Sequence, residues 1–135
     1  MAAAKWISSV ALTAALAIAG GKPAIADDCN VEHGAEVAKR CVACHAIDID
    51  AISKVGPPLI GVVGRQAASY PDFKYSRALR AITTTWTAEE LDQFLAAPQK
   101  YVRGTSMAFA GLRKEEERAD LICFLQTLNA ATTDK

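Results

Sequence analysis

Downstream of residue 27, apolar positions recur at helical spacing in several stretches, and no stretch shows convincing strand alternation. Residues 31–40 contain no proline and a single glycine, Gly34, and predict a first helix. Residues 46–71 are punctuated by Gly56-Pro57-Pro58, Gly61 and Gly64, which predicts irregular loop. A short helix is expected over 75–82. Thr87-Ala88-Glu89-Glu90 is a capping box, followed by apolar Leu91, Phe94 and Leu95, with Pro98 as the stop. Residues 103–111 read as a loop around Gly104 and Gly111. The last helix should start near Lys114, because Glu115, Glu116 and Glu117 suit the positive end of a helix dipole. Leu121, Ile122, Leu125 and Leu128 then share one apolar face. The expected fold class is all-α, with no internal repeat and no low-complexity segment.

Upstream of residue 27 the pattern differs. The first 26 residues hold 18 of the chain's 69 apolar residues and none of its acidic ones. Lys5 precedes an apolar run over 6–19, Gly20, Gly21 and Pro23 break it, and Ala24-Ile25-Ala26 is a small-x-small cleavage pattern. The run is shorter than the roughly 20 residues needed to span a bilayer. Residues 1–26 are therefore expected to be a signal peptide cleaved after Ala26, leaving one domain over 27–135 and a periplasmic destination. Removal of the signal changes a net charge of zero to −2, from 13 basic and 15 acidic residues. Neither value suits a protein built on nucleic-acid phosphates.

The mature chain's chemistry concentrates in Cys41-Val42-Ala43-Cys44-His45, the attachment pattern of c-type haem. Two thiols on one turn can each add to one vinyl group of a haem, and the adjacent His45 then lies beneath the iron. Competing uses of a C-x-x-C lack support. A thioredoxin-like motif would follow a strand in a βαβ unit. Structural zinc would need a second pair of ligands. A Cys41 to Cys44 disulfide would leave His45 without a role.

A haem iron bonded to His45 has a sixth position to fill. Met107 is the only methionine after residue 27 and stands in a Gly-bounded loop rather than on a helix face, which favours a ligand role over core filling. A thioether stabilises ferrous iron and raises the potential. His33 is the rival ligand, but it belongs to the first helix, from which the far haem face is awkward to reach.

Residues 34–128 resemble class I cytochromes c of the bacterial cytochrome c2 and mitochondrial type. The order of features is the family's: helix, Cys41-x-x-Cys44-His45, Gly56-Pro57, Gly64-Arg65, Phe73-Lys74-Tyr75, Trp86, the run from Pro98 through Gly104-Thr105-Ser106-Met107 to Leu112, and a terminal helix. The resemblance implies first and last helices packed across each other around one covalent haem c. It implies His45 and Met107 as axial ligands. It implies a Pro57 carbonyl that accepts from His45, and Arg65, Tyr75, Trp86 and Thr105 placed to meet the haem propionates. Gly34 would allow close approach to Leu121 and Phe124. Four positions depart from the pattern: Phe94 for a tyrosine, Leu79 for an asparagine, Ala38 for an aromatic and Arg103 for a proline. The first two remove hydrogen-bond partners on the Met107 side and predict a drier pocket there.

Cys29 and Cys123 remain. In the family fold the two could meet, and export would permit a disulfide; a buried Cys123 with a free Cys29 is the alternative. Arg40, Lys100, Arg103, Arg113 and Lys114 would ring the haem edge, with Glu89, Glu90 and Asp92 elsewhere, giving a weakly positive docking face. The function expected is that of a monomeric single-electron carrier and not an enzyme. Its partners would be redox proteins of the quinol-cytochrome c reductase, oxidase or dehydrogenase class, with membrane contact only through such complexes and no nucleic acid. A subunit dedicated to one periplasmic dehydrogenase, oxidising sulfite or an alcohol, is the alternative. A haem enzyme or gas sensor would need an open sixth site.

Overall fold

The computed structural model describes residues 29–48 and 55–130. The expected signal segment 1–26 and its cleavage point lie outside the described residues. Five helices follow in order: α1 (Val31–Ala38), α2 (Arg77–Ala81), α3 (Ala88–Ala96), α4 (Pro98–Tyr101) and α5 (Glu115–Ala130). No strand occurs among the described residues. One antiparallel bridge, Gln66 to Thr85, joins the long loop to the segment before α3. The core is formed by α1, α3 and α5 through Val37, Ala38, Leu91, Phe94, Leu95, Leu121, Ile122 and Leu125, all buried. Each of the larger side chains, Ala38 apart, contributes roughly 1.5–3 kcal/mol on burial.

Helix starts follow local chemistry. The Asn30 side chain caps α1 by accepting from His33 N, and Thr87 caps α3 by accepting from Glu90 N. Only that half of the expected capping box resembles the pattern. The Glu90 carboxylate accepts from the Tyr101 hydroxyl and so ties α4 to α3. Pro98 does stop α3, but it also opens α4 at a position where a missing N–H costs nothing. The first helix is shorter than expected. After Ala38 the chain tightens into turns, with Lys39 N, Arg40 N and Cys41 N bonding three residues back to Glu36 O, Val37 O and Ala38 O.

The crossing of α1 on α5 is very close. A Cβ added to Gly34 would overlap the Asp120 carbonyl and lie 2.9 Å from Phe124 Cβ. A disulfide joins Cys29 to Cys123 at the same end, with the Cα atoms 6.4 Å apart. It closes a separation of 94 residues, so in the chain-entropy model loop closure would stabilise the fold by up to about 4.7 kcal/mol. The buried Asp120 completes the junction. Its carboxylate accepts from Asn30 N at 2.7 Å and from His33 Nδ1–H at 2.6 Å.

His33 and Asn30 hold the Asp120 carboxyl below its usual range, the His33 bond being the larger cause. A carboxyl depressed in the folded state stabilises the fold above its unfolded pKa, and that stability is lost as pH falls through the folded value. Asp120→Asn should therefore cost about 1–2 kcal/mol at neutral pH. It should also flatten the acid limb below about pH 4. Denaturant unfolding of both proteins across that range is the measurement; parallel pH profiles would refute the role.

Candidate functional site

The turn after α1 carries the Cys-x-x-Cys-His motif. Cys44 N and His45 N both bond to Cys41 O, at 3.0 and 2.9 Å, so one helical turn presents both thiols and the imidazole together. Cys41 and Cys44 take no part in a disulfide. All three side chains line a cavity of about 280 Å³ enclosed by α3, α5 and the loops between helices. Its wall is largely apolar, including Leu59, Val62, Leu79, Phe94 and Leu125, with Arg65, Tyr75, Trp86 and Thr105 as polar members.

Two close contacts fix the His45 ring. His45 Nδ1–H donates to Pro57 O at 2.6 Å, which leaves Nε2 as the nitrogen with a free lone pair. Gly56 lies flat against the ring; a Cβ there would stand 2.5 Å from Cε1 and 2.7 Å from Nδ1. Burial is the main influence on the ring and pushes its pKa down; the Pro57 carbonyl opposes this and the Arg65 charge adds to it. The neutral form is thus favoured, and only that form can ligate a metal. Burial likewise raises the Cys41 thiol pKa against the opposing charge of Arg40.

Arg65 lines the cavity, but its guanidinium also works on the backbone. Nη1 donates to Ile60 O at 3.0 Å and Nη2 to Pro58 O at 2.9 Å. It therefore holds the loop that presents Pro57. The Tyr75 hydroxyl accepts from Tyr70 N at 3.3 Å, which leaves its proton for another partner. Trp86 packs against Phe94 at a tilt of 46°, centroids 4.9 Å apart. Met107 lines the same cavity as His45, whereas His33 is exposed on α1, paired with Asp120 and absent from the wall. Thr105 Oγ1 accepts from Met107 N at 3.3 Å. Leu79 and Phe94 are both on the wall, so the two departures from the family pattern face the hollow.

The donor set fits a covalently held haem: two thiols on one turn, an oriented neutral imidazole beside them, and an apolar hollow with hydrogen-bond donors. Among the described residues, no group of three or more His, Cys, Asp or Glu could hold a bare metal ion, so a zinc site finds no support. The Cytochrome c family model matches residues 31–129. The chain belongs to the cytochrome c family. Its members bind covalently attached haem c and carry electrons. A cytochrome c homolog of Rickettsia bellii is 44% identical over 105 residues, covering 78% of this chain and 61% of that protein. Cytochrome c type-1 of Ascaris suum is 46% identical over 98 residues, covering 72% of this chain and 87% of its own. Cytochrome cH from Methylobacterium extorquens matches in structure with a TM-score of 0.68 at 35% identity, covering 73% of this chain and 98% of that one. The chain spans about three fifths of the length of the rickettsial relatives.

Three residues of this cytochrome c emerge only from the structure. Gln99 reaches from α4 to the loop of Met107, donating from Nε2 to Met107 O at 2.7 Å and Thr105 O at 3.3 Å. Arg118 is buried and donates to Asp92 Oδ1 at 2.6 Å and to the carbonyls of Leu112 and Arg113. Its signal was an arginine in the fourth residue of α5, near the helix end that disfavours cations. Asp120 is the third. The docking-face expectation needs one correction. Glu117 accepts from Arg40 at 2.9 Å and lies 3.2 Å from Lys114, so two of the five basic residues share an acidic partner.

Gly56→Ala should push the His45 ring away from Pro57, at a cost of about 1–3 kcal/mol. The His45 Nδ1 proton resonance and equilibrium unfolding of the haem-loaded protein check this. Wild-type values in both would show that the ring does not depend on that contact.

Proposed function

We propose that this cytochrome c is an exported, periplasmic carrier of single electrons, with one haem c whose iron is ligated by His45 and Met107. The observation that carries the reading is that His45, Met107 and both motif cysteines line one cavity. Cys41 and Cys44 would hold the haem, and the group would supply a one-electron iron couple. Pro57 and Gly56 orient His45. Thr105 Oγ1 holds the Met107 backbone. Arg65, Tyr75, Trp86 and Thr105 are the polar groups placed to meet the propionates, which would be costly to bury without donors.

His45 and Met107 would both hold the iron and leave it no place for a substrate, so the protein would be a carrier and not an enzyme. It acts as a monomer. Redox proteins of the quinol-cytochrome c reductase, oxidase or dehydrogenase class are its partners. Since Glu117 neutralises part of the rim, the positive face rests chiefly on exposed Lys100, Arg103 and Arg113. Leu79 and Phe94 on the cavity wall keep the Met107 side dry.

The deciding measurement is the optical spectrum. The oxidised wild-type protein should show the weak long-wavelength band of sulfur-to-iron ligation. The reduced protein should not bind carbon monoxide at neutral pH. Met107→Ala should lose the band and bind carbon monoxide. A wild-type protein that lacks the band and binds carbon monoxide would remove Met107 from the iron.

The docking face has its own check. Bimolecular electron-transfer rates with an acidic partner should fall as ionic strength rises, because exposed charges are screened beyond about 8–10 Å at physiological salt. Salt-independent rates would count against it.

A further inference from the structure

We infer that Gln99 is a positioning residue for Met107: its side-chain amide clamps the backbone of the ligand-bearing loop to α4. The inference rests on Met107 being the sixth ligand. Residues 103–111 contain no regular secondary structure, so the loop's backbone polar groups must find other partners. Thr105 N bonds back to Val102 O, at the end of α4, at 3.0 Å, and Met107 N bonds to Thr105 Oγ1 within the loop at 3.3 Å. Neither bond reaches the Met107 carbonyl. Gln99 instead comes from outside and grips the Met107 carbonyl itself.

Donor and acceptor are not interchangeable here. Both partners are carbonyl oxygens, which only accept, so the Gln99 nitrogen must face them. Glutamate has almost the same shape and no donor to offer.

The clamp is useful only if its base is fixed, and α4 is firmly seated. Pro98 is among the most deeply buried side chains of the protein. The Tyr101 ring packs edge-on against Phe94, centroids 5.8 Å apart, and its hydroxyl donates to Glu90. A four-residue helix is thereby bolted to α3 at both ends, with Gln99 between the bolts. The Met107 backbone is thus fixed relative to Phe94 and Trp86, which form the cavity wall. Gln99 is itself exposed, so water competes for its bonds and the effect of losing it is modest and local.

The test uses the haem-loaded protein with Gln99→Glu, Gln99→Leu and Gln99→Arg. Two readouts are taken: the rate at which imidazole displaces the sulfur ligand, followed by loss of the long-wavelength band, and amide exchange at Thr105 and Met107. Gln99→Glu and Gln99→Leu should raise both by about threefold to fivefold, the scale of one exposed hydrogen bond. Gln99→Arg keeps donors at the position and should stay near wild type. The thermal midpoints of the glutamate and leucine variants should fall by only a few degrees, the shift of one hydrogen bond, and amide exchange outside the loop should stay at wild-type rates, which separates a local clamp from general destabilisation. Unchanged imidazole rates and amide exchange in Gln99→Glu and Gln99→Leu would overturn the inference. So would equal increases in all three variants. If wild type lacks the sulfur band, Met107 ligation fails. Amide exchange then decides the clamp alone, a rise in the glutamate and leucine variants supporting it and no change refuting it.

Discussion

The close crossing of α1 on α5 is the constraint from which the site's geometry follows. Gly34 lets the α1 backbone approach the Asp120 carbonyl without side-chain interference. Ala38, with no exposed surface, continues the same seam. The end of α1 runs directly into the turn of Cys41, Cys44 and His45, and the start of α5 receives the chain leaving the Met107 loop. Locking the two helices together therefore fixes the carriers of both candidate iron ligands relative to each other. The Cys29–Cys123 disulfide and the Asp120 contacts secure that seam, while Leu121 and Leu125 of the same stretch of α5 line the hollow.

The loops that complete the site are held by an unusual means. Helices and sheets satisfy their own backbone groups, but more than half of the chain between α1 and α5 has neither. Long side chains take over that task. Arg65 serves Pro58 and Ile60, Gln99 serves Thr105 and Met107, Arg118 serves Leu112 and Arg113, and Asn129 donates to Val63 O at 2.6 Å. In each case a guanidinium or amide offers N–H donors to carbonyls that face no regular partner. The arrangement leaves the hollow free of crossing helices. Apolar bulk supplied by a haem then completes a core that the residues alone do not fill.

How much of this was legible beforehand depends on range. Helices α1, α3 and α5 were readable because their signals are local: Thr87 at a cap, three glutamates in one first turn, leucines three and four apart. The haem motif was readable because its spacing is itself the chemistry. Helix α4 was not, since four residues are too few for a period. The Gln66 to Thr85 bridge pairs single residues and leaves no alternation to see. Arg118 with Asp92, and His33 with Asp120, join residues 26 and 87 apart, and no local pattern encodes such pairings. His33 reads from sequence only as a rival ligand, because an exposed histidine on a helix says nothing about a carboxylate from the far end of the chain. The same holds for Glu117: locally it is one of three dipole-matched glutamates, and its service to Arg40 depends on the helix crossing.

The proposed electron carrier would have to keep its geometry while the charge at its centre changes by one, and the distribution of contacts suits that demand. The groups that hold His45 and Met107 in place are the Pro57 carbonyl, the Thr105 hydroxyl and the Gln99 amide, none of which titrates near neutrality. The charged contacts, Asp120 with His33 and Glu117 with Arg40 and Lys114, sit at the helix seam and on the rim. A proton or salt ion that perturbs those pairs acts on overall stability or on partner encounter. It does not act directly on the hydrogen bonds that orient His45 and hold the Met107 backbone. Charge is thus placed where modest screening is tolerable, and neutral dipoles where position must not drift.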